Sequence, residues 1–297
     1  MGTLVNPRVS ADDVDWLDEL RLDPAPPFLT MGTRSLDLDR WLVIDDDLDR
    51  DIAYKRDLIA RRRDVVVRHV SGSDDASREV LELVAAWRGV DPDVARPGVI
   101  EETDLDEHPI VRAALLVQDD LVVMQQIDGE WILGAGAVCF PSHWSLDEKL
   151  GLPLALIHSP VAHYERELSE KVDRFHDRLA VARPAWRRNW TVNATDELHL
   201  PSRARQVPPP ERIEPDGSPM WIRSERQTLR RLAGTGAILF TIRIQRAPLG
   251  VLVERPEIAG RMLTAVRSWD ASKRRYNSTG GALPQLIAWL EVVAGVQ

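Results

Sequence analysis

Between residues 139 and 158 this chain places a thiol, two imidazoles, an indole and an ammonium group: Cys139, His143, Trp144, Lys149 and His158. His158 ends the apolar run 154–157 and is followed by Ser159-Pro160. An imidazole held at the end of an apolar segment and pinned by a proline suits a metal or haem ligand, and equally a hydrogen-bonded core histidine. Cys139 is the alternative ligand as a thiolate. Inside an apolar strand, however, a free cysteine ordinarily packs as a small hydrophobe. His143 and His199 are further candidates, while His176 is expected on a helix surface.

Several elements must position these groups. Residues 145–151 read as a short helix entered through Ser145, with Asp147 and Glu148 in the first turn, where the helix dipole favours carboxylates. Gly151-Leu152-Pro153 then stops it. Before it, residues 113–118, 121–127 and 131–140 read as an antiparallel meander. The turns are Asp119-Asp120 and Asp128-Gly129, the latter a strong hairpin signal. Gly134 and Gly136 weaken the third strand and leave room for a macrocycle or another backbone. They are not a dinucleotide motif, because no helix opens there.

After His158, residues 165–182 form the clearest helical pattern, with Leu168, Val172, Phe175 and Leu179 on one face. Residues 188–193 and 236–245 read as strands, 225–232 as a helix, and 255–269 and 283–293 as C-terminal helices. The proline-bearing stretch 203–219 is a candidate lid. On the N-terminal side a helix is expected from Asp51 to about Val67. In it the Arg61-Arg62-Arg63 run reads as a solvated face paired with acids, or as an anion site. A second helix starts at Ser73, burying Val80, Leu81, Leu83 and Val84. Residues 1–27 read as an irregular arm. Residues 28–297 read as one domain with a helical part (28–109), a sheet-containing core (110–250) and C-terminal helices (251–297). Helices and antiparallel strands in separate blocks indicate an α+β fold.

The 297 residues are 44% hydrophobic, enough for a full core. A formal net charge of -9 argues against nucleic acid. The single cysteine excludes an internal disulfide framework and a multi-cysteine metal cluster. No signal peptide or membrane span is readable, so a cytoplasmic location is expected. Ten tryptophans against three tyrosines supply flat apolar walls.

The blocks Cys139-Phe-Pro-Ser-His-Trp144, Lys149-Leu-Gly151 and Ile157-His-Ser-Pro-Val161 resemble the haem-dependent oxidative N-demethylases, the haem-binding subunit of dimethylamine-oxidising enzymes. Arg188-Asn189-Trp190, residues 223–232 (Arg-Ser-Glu-Arg-Gln-Thr-Leu-Arg-Arg-Leu) and residues 237–243 follow in the same order. Ala162 and His143 depart from the pattern. The resemblance implies a PAS-like antiparallel sheet with haem b on one face, flanked by N- and C-terminal helices. It also implies His158 as the iron ligand, with Trp144, Lys149, Arg188, Asn189 and Arg226 as cofactor-binding residues. Glu225 and Arg243 are the expected catalytic residues. Glu225 would take the amine, or else pair with Arg188 or Arg243. The implied reaction uses O2 to oxidise an N-methyl carbon of a secondary or N-methylated amine, releasing formaldehyde. Electrons would come from a separate ferredoxin-type reductase carrying FMN and an iron–sulfur cluster and fed by NADPH. A non-catalytic haem sensor or carrier, and a cofactor-free binding protein of the same fold, remain alternatives.

Overall fold

The computed structural model describes residues 15–24, 30–159, 168–201, 208, 210–271, 274 and 281–296. It is an α+β protein built on one open seven-stranded sheet in which every pairing is antiparallel. The strands are β1 (Arg34–Ser35), β2 (Val67–His69), β3 (Asp120–Ile127), β4 (Glu130–Ala137), β5 (Ala185–Asn193), β6 (Trp221–Arg231) and β7 (Ile238–Pro248). Their order across the sheet is β1-β5-β6-β7-β3-β4-β2. The β3–β4 hairpin turns at Asp128-Gly129, both at positive φ, as an Asp-Gly pair between apolar strands requires.

The described helices are α1 (Leu48–Val66), α2 (Asp74–Arg88), α3 (Pro109–Ala114), α4 (Leu154–Ile157), α5 (Ser169–Arg178), α6 (Pro256–Arg267) and α7 (Leu283–Val293). Three apolar clusters hold them. The first gathers α1, α2 and α3 with Leu121, Val123 and Leu239. The second joins α6 and α7 to Ile222 and Ala247 at the ends of β6 and β7. The third packs Leu154 of α4 and Val172 of α5 on Val122, Met124, Leu229 and Ile238.

Four expectations are corrected. Residues 113–118 do not form a strand: His108 and Pro109 start α3, which is buried nearly all round and so lacks the one-sided pattern of a surface helix. Residues 225–232 are not helical but lie in β6, where both faces are covered and helix-favouring Glu, Arg, Gln and Leu are overridden by ladder pairing. Residues 147–151 make turns rather than a helix, ending at Gly151 with φ +72. Nothing foreign is needed to fill the space over Gly134 and Gly136. A Cβ at Gly134 would collide with the Gln125 side chain, and one at Gly136 would meet Leu146 at 3.1 Å.

Of the arm predicted over residues 1–27, residues 15–24 are described. Asp15–Glu19 is a 3₁₀ turn, and Trp16, Leu17, Leu20 and Leu22 are buried in the second apolar cluster. Residues 160–167, and positions 203–207 and 209 of the lid predicted at 203–219, lie outside the described residues. The arginine run of α1 is paired: Arg61 with Asp57 at 2.8 Å and Arg63 with Glu107 at 2.6 Å.

Candidate functional site

The loop after β4 is fixed by two buried groups. Asp120 accepts the backbone N–H groups of Cys139 and Phe140 at 2.9 and 2.7 Å. Burial raises its carboxyl to about 6, against the lowering effects of Lys55 and these two amides. Arg223 of β6 donates to Ser142 Oγ and to the carbonyls of Phe140, Pro141, Glu197 and Leu198 at 2.8–3.2 Å. Burial pulls this guanidinium down to about 10. One arginine thus ties the turn at Pro141-Ser142 to the segment after β5. Cys139 is fully buried and its thiol is pushed up by desolvation and then by Asp120, which makes it a poor source of thiolate.

From this turn the chain runs through Trp144 to Lys149, whose ammonium lies 5.7 Å from the Trp144 ring centre and donates to the Ile157 carbonyl. Gly151 and Pro153 then admit the single turn of α4. His158 caps that turn: its backbone N–H returns to Leu154 O at 3.1 Å and its Nδ1 lies 2.9 Å from the same carbonyl. Nδ1 must carry the proton for that bond, so the neutral ring has its lone pair on Nε2. Desolvation lowers the imidazole to about 4, with Arg187 and Lys149 adding to the effect. His158 is a neutral, oriented imidazole at neutral pH.

Strand alternation sorts the other candidates. Arg187 and Asn189 of β5 and Glu225 and Gln227 of β6 point to the sheet face that carries α4 and α5. Arg187 Nε donates to Gln227 Oε1 at 2.6 Å, and Gln227 Nε2 donates to Glu225 Oε2 at 2.7 Å. Glu225 therefore pairs with Gln227 and not with Arg188 or Arg243. Asn189 stands opposite Glu225 in register. His176 is buried on the same face, not exposed as expected: its Nδ1 donates to Val172 O at 2.8 Å, and its ring packs on Trp131. Desolvation lowers its pKa as well.

Arg188, Arg226 and Arg243 form one cross-strand row on the opposite face. Arg188 bonds Glu19 at 2.6 Å, Ser224 and Gln245. Arg226 donates to the Trp41 carbonyl at 2.8 Å and to that of Arg40. Arg243 bonds Asp45 at 2.5 Å and faces Asp51 at 3.6 Å. The structure brings His158, Lys149 and Trp144 together, with Glu225 and Asn189 on their side of the sheet. It does not bring the three arginines to them. Arg187 and Gln227 are the residues that sequence reasoning passed over, and His176 the one it placed on a helix surface. Alternation along β5 was the available signal, but it says which residues share a face and not which face.

A haem needs an axial donor, cations for its propionates and apolar walls. His158 offers the donor in the required tautomer, Lys149 and Arg187 are the cations acting on it, and Leu154, Leu146 and Trp144 are apolar neighbours. These residues fit the group. The fold and site define an α+β protein whose sheet face carries a neutral, oriented histidine flanked by cations. The family model described as haem-dependent oxidative N-demethylase, alpha subunit-like, matches residues 95–283. The chain belongs to that family. The family's name is that of an N-demethylase-like, haem-dependent oxidoreductase subunit. Among the described residues no helix is long and apolar enough to cross a membrane.

Proposed function

We propose that this chain binds haem b on the α4–α5 face of a PAS-like sheet and oxidatively removes an N-methyl group from a secondary or N-methylated amine. The observation that carries the reading is His158, held neutral with its proton on Nδ1 by the Leu154 carbonyl. His158 would hold the iron through Nε2, and Lys149 and Arg187 would meet the propionates. The haem would supply oxygen activation. The amine reaches the site as an ammonium ion, and Glu225 is an acid on that face, bonded to Gln227. Its carboxylate would bind the ammonium and take its proton, freeing the nitrogen lone pair, while Gln227 and Arg187 keep it oriented. Electrons must enter from a partner, for which a ferredoxin-type flavin reductase using NADPH is the expected class. Dimethylamine is the substrate type that the family resemblance implies.

The test is the visible spectrum of the chain produced with a haem precursor, beside His158→Ala, followed by formaldehyde release with a reductase and amines. A Soret band lost or shifted in the variant, with amine-dependent formaldehyde from the wild type, is expected. A colourless wild type after reconstitution would leave a cofactor-free binding protein. A band without turnover would leave a sensor or carrier.

A further inference from the structure

A second set of imidazoles lies at the β2 edge of the sheet, on elements that take no part in the haem reading. His69 is the last residue of β2, Asp74 the first of α2, and His108 the N-cap of α3. The His69 and His108 rings are stacked, 4.1 Å between centres and 15° from parallel. His108 Nε2 lies 3.0 Å from Asp74 Oδ1. One ligand atom from each of the three residues falls within 4.8 Å of the others, and among the described residues no other such trio of His, Cys, Asp or Glu occurs.

We propose that His69, Asp74 and His108 form a binding site for a divalent transition-metal ion, zinc being the best match. Two imidazole nitrogens and a carboxylate oxygen are a common donor set for zinc, leaving the fourth position to water. Ligands on a tetrahedral zinc stand about 3.4 Å apart. With all three ligand atoms within 4.8 Å of one another, no pair has to close by more than about 1.4 Å; His69, whose ring must turn out of the stack, and Asp74 are both exposed.

Backbone anchors hold the approach. Val70 N bonds Gly134 O at 2.8 Å, and Ser73 Oγ bonds Val70 O at 2.8 Å, so the turn from His69 to Asp74 is fixed to the sheet. The neighbouring cation, Arg63, is held by both oxygens of Glu107. One proton must move. Ile110 N–H donates to His108 Nδ1 at 3.3 Å, which puts the ring proton on Nε2 facing Asp74. Metal at Nε2 sends that proton through solvent to Nδ1. The long cap bond is exchanged for a metal–nitrogen bond. The ion would staple the β2 edge to the start of two helices.

The experiment is calorimetric titration of ZnCl2 into the chelator-stripped full chain, with His69→Ala, Asp74→Asn and His158→Ala. One equivalent should bind to the wild type and to His158→Ala, with affinity at least about tenfold weaker in the other two, since even outer partners of metal ligands are worth that much. Zinc should raise the thermal midpoint of the wild type and not of His69→Ala or Asp74→Asn. A wild type that takes up no zinc, or His69→Ala and Asp74→Asn variants that bind like it, would overturn the proposal.

Discussion

His158 and Glu225 make opposite use of their surroundings. The histidine is half-buried, and desolvation, helped by the charges of Arg187 and Lys149, keeps it neutral with a lone pair to donate. The glutamate is held from one side by Gln227 and belongs to the face where an ammonium would gain a partner. Glu225→Gln should raise the KM for the amine by about tenfold or more, the worth of a hydrogen bond to a charged group, while leaving the Soret band in place. Steady-state kinetics at fixed reductase would check it. Asp120 carries a pH prediction. Its folded carboxyl, near 6, lies above the usual value of 3.8, so the unfolded chain binds fewer protons between those values. Its contribution to stability is present below pH 4 and is lost as pH rises through 6, by on the order of 3 kcal/mol. Urea unfolding of wild type and Asp120→Asn should therefore diverge in favour of the wild type as pH falls from 7 to 4. Parallel curves would refute the assignment.

At the scale of elements, β6 is the pivot. One face presents Glu225 and Gln227, the other Arg226 and Thr228, and Arg223 reaches past its end to grip the loop after β4. A buried guanidinium serving four carbonyls and a hydroxyl cannot be replaced by an apolar side chain without orphaning them. Arg223→Met should cost about 3–5 kcal/mol in denaturant unfolding. It should also weaken haem retention, because Trp144 and Lys149 follow from that turn. Much of the sheet was legible: the Asp128-Gly129 hairpin, the strands at 188–193 and 236–245, and the α6 and α7 helices stand near where periodicity put them. Two of the misreadings, residues 113–118 and 225–232, fell on short runs covered on every side. Neither α3 nor the middle of β6 has a solvent face, so neither shows the alternation that separates period 3.6 from period 2.

For the whole molecule, the segment 15–24 is anchored in the interior by Trp16, Leu17, Leu20 and Leu22. Leu17 is fully buried among Trp16, Leu20 and the residues around α6 and α7, and Glu19 neutralises Arg188. Leu17→Ala should cost about 2–5 kcal/mol, as for any large-to-small core change. A thermal melt unmoved by it would return this segment to the status of a loose arm. The sequence by itself determined the α+β class, the family blocks, the hairpin and the histidine at the end of an apolar run, because each is written in neighbouring residues. Only the tertiary structure decided which cations share a face with His158. Arg187 and Arg188 differ by one position, and in a strand one position is the difference between the two sides of a sheet. Which side meets α4 depends on how β5 registers against β6, and so on contacts with residues far away in the chain.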